Sequence, residues 1–131
     1  MAKALIKSLR VVFLCLVFGA SNSFASNIPE CRFWNYILGS RCFEVKNYEG
    51  NLKYEGELKG DKFEGQGALY FPNGEKYIGQ FKAGLRDGQG TYYFLNGQKY
   101  VGKYVANSRQ GLGTLYYPDG AKYVGYFDNG K

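Results

Sequence analysis

A period of 23 residues governs most of this 131-residue chain. Tyrosine stands at Tyr54, Tyr77, Tyr100 and Tyr123, and two residues after each comes Gly56, Gly79, Gly102 or Gly125. Two further on stand Leu58, Phe81, Tyr104 and Phe127. Gly65, Gly88 and Gly111 follow, then Gly67, Gly90 and Gly113. The unit closes on Gly74, Gly97 and Gly120, with Lys76, Lys99 and Lys122 just before the next tyrosine. Recurrence at this period marks an array whose units bury their apolar sides only against their neighbours. The units run 54–76, 77–99 and 100–122, with a fourth begun at 123–131. Residues 44–53 read as the degenerate tail of an earlier unit, with Gly50-Asn51 in the turn slot and Lys53 in the lysine column.

The columns predict β-hairpins. Asn73-Gly74, Asn96-Gly97 and Asp119-Gly120 are hairpin-turn signals, because these residues tolerate positive φ. Pro72 and Pro118 before two of them suit a type I turn ending in a left-handed glycine and a bulge; a two-residue type I′ loop is the alternative. The choice matters, since one residue of register decides which side chains share a face. The column Asp61, Gly84, Asn107 and Gly130 favours the left-handed region and predicts a second turn per unit. Between turns, Tyr77-Ile78-Gly79-Gln80-Phe81 predicts a strand with Tyr77, Gly79 and Phe81 on one face, paired with Thr91-Tyr92-Tyr93-Phe94. A periodic strand glycine gives a neighbouring ring room to lie across the backbone. The expected fold is all-β, an elongated and twisted antiparallel meander of repeated hairpins.

Tyr-x-Gly-x-aromatic, then Gly-x-Gly, then an Asn-Gly or Asp-Gly turn, repeated every 23 residues over 54–131, resembles the MORN (membrane occupation and recognition nexus) repeat. Leu58 and Tyr104 depart from its usual phenylalanine, Asp61 and Asn107 from a glycine, and Leu95 from a polar or proline turn residue. The resemblance implies a β-hairpin scaffold for protein contacts or dimerisation, with phospholipid binding also proposed for such repeats. The fourth unit lacks its second strand, which makes the C-terminal edge the expected place for a homodimer.

The N-terminus reads as an address. Lys3, Lys7 and Arg10 precede the uncharged run Val11–Gly19, and Ser23-Phe24-Ala25 is a small-x-small cleavage site. Residues 1–25 are therefore expected to be removed on export, to a periplasm or outside the cell. Cleavage leaves 14 basic against 11 acidic residues, a net charge of +3 rather than +6. That balance is too small and scattered to predict nucleic-acid binding. It also leaves Cys31 and Cys42, an even pair expected to form a disulfide worth about 3 kcal/mol. Residues 26–53 then form a disulfide-pinned cap, and their aromatic run Arg32–Leu38 is a second expected location for partner specificity.

Chemistry is argued against. The chain has no histidine, which removes Ser-His-Asp and Cys-His sites, histidine-bearing zinc sites and an imidazole switch. Three cysteines do not complete a four-cysteine metal cage. The Gly-x-Gly pairs recur among strands with no helix to follow, unlike a phosphate loop. Glu64 and Asp87 share a column that becomes Gln110, so no carboxylate pair stands out. No catalytic, cofactor or metal site is expected.

What remains is surface. Tyr54, Tyr77, Tyr100 and Tyr123 are expected to be structural, packing on glycines. Tyr70, Tyr93 and Tyr116 fall on the opposite face from Phe71, Phe94 and Tyr117, and a single sheet leaves one face partly open. Lys76, Lys99 and Lys122 form a row at the unit joints, repeating at roughly 10 Å because each unit adds two strands. The leading expectation is an exported, non-enzymatic scaffold that binds other proteins or itself. The alternative is a weak, salt-sensitive binder of anionic lipid head groups or glycans through the lysine and tyrosine columns.

Overall fold

The computed structural model describes residues 39–131. They form one eight-stranded antiparallel sheet in which every strand pairs only with its neighbours in sequence. The strands are β1 (Arg41–Asn47), β2 (Lys53–Lys59), β3 (Lys62–Tyr70), β4 (Lys76–Lys82), β5 (Leu85–Tyr93), β6 (Lys99–Val105), β7 (Ser108–Tyr116) and β8 (Lys122–Phe127). Each 23-residue unit is a short strand, a tight loop and a longer strand, as the pattern predicts. The longer strand starts six residues earlier than the expected Thr91, at Leu85, and stops at Tyr93. Phe94 is therefore not a strand residue: its amide and carbonyl both serve the turn, bonding Gln98 O and Gly97 N at 3.0 and 3.1 Å.

The two alternatives for the Asn-Gly turns resolve in favour of the bulged form. Gly74 N donates to Phe71 O at 3.0 Å and Phe71 N to Glu75 O at 2.9 Å, and of Asn73 and Gly74 only the glycine has positive φ, +92°. Asn73 Oδ1 also accepts from Glu75 N at 3.0 Å; Asn96 and Asp119 do the same for Gln98 and Ala121. The column needs a short side-chain acceptor as well as tolerance of a turn. The leading fragment closes its turn with the equivalent bond, Tyr48 N to Leu52 O at 2.7 Å, through two left-handed residues, Gly50 and Asn51. A Gly97→Val chain is expected to lose about 1–3 kcal/mol, since φ there is +83° and Pro118 Cγ would lie 3.2 Å from the new Cβ. The reading is the urea midpoint at constant m-value; an unmoved midpoint would refute the turn assignment.

The second turn differs from expectation at its first occurrence. Gly60, not Asp61, is left-handed there, which is the type II′ pattern. In the later units both loop residues are left-handed, Ala83-Gly84 and Ala106-Asn107, the type I′ pattern. Alanine in that region costs free energy, and the loops are held by the preceding unit. Gly84 N donates to Phe63 O and Asn107 N to Arg86 O, both at 2.9 Å. Ala83 N donates to Glu64 Oε2 at 3.0 Å and Ala106 N to Asp87 Oδ2 at 3.2 Å. The column of Glu64, Asp87 and Gln110 is thus a set of loop anchors spanning the unit joint.

The core lies on one face of the sheet. Tyr54, Tyr77 and Tyr100 are completely buried, with Leu58, Phe81, Tyr104 and Phe127 beside them. Edge-to-face contacts link these rings into a zigzag from Tyr54 through Phe81, Tyr77, Tyr104, Tyr100 and Phe127 to Tyr123, with centroids 4.9–5.7 Å apart. Each such pair contributes about 0.5–1.5 kcal/mol beyond area burial. Large rings have this much cover in one layer because they lie flat across backbone. Gly79 faces Gly90 across β4 and β5, and the Tyr77 ring covers both.

One irregularity sets the register. β2, β4 and β6 each carry a bulge between the glycine and the core residue two further on, as between Gly79 and Phe81. The Tyr77 hydroxyl bridges it, donating to the Gln80 carbonyl at 3.0 Å, and Tyr54 and Tyr100 do the same at Glu57 and Lys103. The bulge residue's own side chain reaches across: Glu57 Oε1 accepts from Gln66 N at 3.0 Å and Gln80 Oε1 from Gln89 N at 2.7 Å.

Candidate functional site

The face opposite the rings carries the candidate binding residues. Antiparallel pairing sets Lys53 opposite Tyr70, Tyr70 opposite Lys76, Lys76 opposite Tyr93, Tyr93 opposite Lys99, Lys99 opposite Tyr116 and Tyr116 opposite Lys122. The tyrosine and lysine columns are therefore one alternating row across seven strands. The Lys53, Lys76 and Lys99 ammoniums lean over the tyrosine of the following strand, Lys76 Nζ at 4.4 Å from the Tyr93 centroid and Lys99 Nζ at 4.5 Å from that of Tyr116. Cation–π attraction holds these pairs. The first pair is also tied to a carboxylate. Lys53 lies 5.6 Å from the Tyr70 ring and 2.5 Å from Glu55 Oε1, while the Tyr70 hydroxyl donates to Glu55 Oε2 at 3.3 Å. Burial, then the Glu55 charge, pushes the Tyr70 hydroxyl above its ordinary value.

Beside this row the open face is mainly uncharged. Ala68, Ile78, Thr91, Val101, Thr114 and Val124 follow one another across the strands. Exposure along it climbs from 1% at Ala68 to 38% at Val101 and 57% at Val124, and Leu112 and Tyr126 nearby reach 60% and 79%. These exposed apolar groups are gathered on one face rather than scattered.

The packed face has a second cluster, which sequence reasoning missed. The residue two before each long-strand Gly-x-Gly is Phe63, Arg86 or Arg109. Phe63 stacks on Tyr54 at 3.9 Å and 11°. Arg86 sits in the same place one unit later, its guanidinium 5.8 Å from Tyr77, 5.4 Å from Tyr92 and 5.3 Å from Tyr104. Arg109 lies 5.9 Å from Phe94, 5.4 Å from Tyr100 and 5.3 Å from Phe127. Planarity is what the three side chains share. The signal available in the sequence was the column itself, read as a slot for a flat group. Arg86 also ties down the next loop, with Nε 3.3 Å from Asn107 Oδ1 and Nη2 3.1 Å from Asn107 O. Arg109 Nη2 donates to Gly130 O. Between the two guanidiniums lies a shallow open recess of about 300 Å³, edged by Tyr92, Tyr104 and Ser108.

Phenols on the packed face are hard to ionise. Burial pushes Tyr77 up to about 12, against the opposing pull of Arg86. Tyr92 also rises to about 12, through burial and then its 2.8 Å bond to Glu75 Oε2. That bond, with those from Asn73 and Leu95, holds Glu75 below the usual carboxylate range. The unfolded chain ionises its tyrosines near pH 10. Between about pH 10 and 12 it sheds protons that folded Tyr77 and Tyr92 retain. The contribution of these two phenols is thus complete below pH 10 and is lost as pH climbs through these values. Tyrosinate absorbance and circular dichroism are expected to change together above pH 10. Full ionisation of all 13 tyrosines with the fold intact would contradict the packing.

The remaining site residues divide simply. Cys42 is buried on β1; Cys31 lies outside the described residues, as do the leader 1–25 and Arg32–Leu38. Among the described residues no three His, Cys, Asp or Glu side chains converge to hold a metal. Tyr123 and Gly125 on β8 repeat the ring-over-glycine contact.

Three consecutive stretches, residues 54–76, 77–99 and 100–122, match the family model described as MORN repeat. No curated protein matches the chain.

Proposed function

The chain belongs to the MORN-repeat family, a non-catalytic repeat family that serves protein and lipid interaction, and from that premise we propose an exported scaffold that binds other proteins or a second copy of itself. The observation that carries the reading is the uncovered sheet face, where Val101, Leu112, Val124 and Tyr126 stand 38–79% exposed. A layer that fills its other face with its own rings leaves this one for a partner. Light scattering on the full exported chain, with crosslinking in its native compartment, tests the proposal. A Leu112→Lys/Tyr126→Lys chain is expected to keep its β spectrum and lose the partner or the dimer. A strict monomer that captures no protein would sink the proposal. Pairing of β8 edges is one route to a dimer, and loss of association on Val124→Pro with Leu112 and Tyr126 intact would identify it.

Export rests on the leader-like segment 1–25 and on the expected Cys31–Cys42 pair. The Cys42 sulfur is already bonded and is 1% exposed, which fits a bridge that pins the N-terminal edge strand. Secretion and N-terminal sequencing check the cleavage after Ala25.

The alternating row favours a second reading, contact with anionic lipid head groups, over sugar stacking. An ammonium already lies over one face of Tyr93 and Tyr116, so a sugar must displace it, whereas a phosphate meets it directly. Replacing Lys76, Lys99 and Lys122 together by alanine is expected to abolish sedimentation with anionic vesicles at low salt. It would leave any polysaccharide binding unchanged or stronger. Vesicle binding that survives the triple change would remove the lysine row from the reading.

A further inference from the structure

We propose that the recess between Arg86 and Arg109 binds a glutamate or aspartate side chain of an extended acidic peptide segment. The inference rests on the protein-binding reading and gives that partner a chemistry. The ion pairs among the described residues are Arg41–Glu57, Lys46–Glu44 and Lys53–Glu55, so both guanidiniums are without a carboxylate. Both are half-buried, where an uncompensated charge is costly and a counter-ion is worth more than in water. Local carboxylates are committed elsewhere: Glu75 to Tyr92 and Leu95, Asp87 to Ala106, Asp128 to Gln110.

The geometry suits a carboxylate. A guanidinium has five N–H donors in a plane. The rings lie 5.3–5.9 Å from the guanidinium carbons, while a carboxylate binds through the N–H edge. Arg86 spends Nε and one Nη2 hydrogen on Asn107, and Arg109 spends one Nη2 hydrogen on Gly130, which leaves the Nη1 edges of both. Ser108 adds a hydroxyl at the rim, and a recess of about 300 Å³ holds one side chain. A side-chain carboxylate is favoured over a chain terminus. Terminal carboxylates are captured by clustered backbone N–H groups. Here those of Ala106, Asn107, Asn129 and Gly130 are all engaged, with Asp87, Arg86, Gln110 and Arg109.

Nitrogen-detected NMR of the arginine side chains in the full chain tests this. The probes are a blocked Gly-Glu-Gly-Glu-Gly peptide, its blocked Gln counterpart, the Gln peptide with a free C-terminus, and inorganic phosphate. The Arg86 and Arg109 signals are expected to move saturably with the Glu peptide alone. Arg109→Gln is expected to weaken that binding about tenfold or more, with the β spectrum unchanged. Ser108→Asp keeps both arginines and is expected to block the peptide by filling the recess from within. No saturable shift, an equal response to the blocked Gln peptide, or a response that follows the free terminus or phosphate would overturn the proposal. Retention of the native partner by the Ser108→Asp chain would overturn it while the scaffold reading stands. A monomer without partners that still binds the Glu peptide would do the reverse.

Discussion

Gly79→Ala is expected to destabilise the chain by about 3 kcal/mol, and Gly79→Val by more. The added Cβ would stand 2.5 Å from Gly90 Cα and 2.6 Å from the Gln89 carbonyl oxygen. Those atoms belong to the paired strand, so relief requires the strands to part or the hairpin to slip. Either movement also unseats the Tyr77 ring, 2.7 Å from the new atom at its hydroxyl. Gly84→Ala is the control. It meets nothing within 4 Å and carries only its φ of +87°, a cost of about 1–2 kcal/mol. Urea titration of both chains separates crowding from backbone strain. Equal midpoints would show that the strand glycine is not needed for the space it vacates.

The second large effect is expected at Tyr77. Tyr77→Ala removes a completely buried ring that touches Phe81 and Tyr104 at 5.1 Å each. The loss is about 3–5 kcal/mol. Tyr77→Phe keeps the ring and deletes only the donor to the Gln80 carbonyl, at about 1–2 kcal/mol. Because adjacent rings interlock, Tyr77→Ala should loosen the units on both sides while the distant β8 keeps its amide protection. Uniform loss of hydrogen-exchange protection along the whole sheet would contradict nearest-neighbour coupling.

Much of this fold was legible because the informative residues are punctuation. The recurring Asn-Gly and Asp-Gly fix where the chain reverses, and Tyr-x-Gly-x-aromatic fixes which face of β4, β6 and β8 is buried. Partnerships across strands were harder to read. The bulge at Glu57, Gln80 and Lys103 decides which residues of the long strands face which of the short ones, and it leaves only a faint mark in the sequence. Without it the Lys–Tyr alternation reads as two unrelated columns, and Arg86 has no visible reason to stand where Phe63 stood. Glu64 and Asp87 share a column in the sequence, yet their use as acceptors for loop amides one unit on depends on spacing across joints that no single hairpin contains. The shift of the left-handed residue from Asp61 to Gly60 has a similar cause, since the composition of the column pointed to the second loop position alone.

The loops at Ala83-Gly84, Ala106-Asn107 and Asn129-Gly130 each lean on the long strand of the unit before. A joint built in this way is indifferent to its rank in the series, so copying one 23-residue stretch in frame would lengthen the ribbon without redesigning any contact. An insertion that is not a whole multiple of the period would break the match at a single seam. Reach along a partner is thus an adjustable property of the architecture, separable from the affinity of each step.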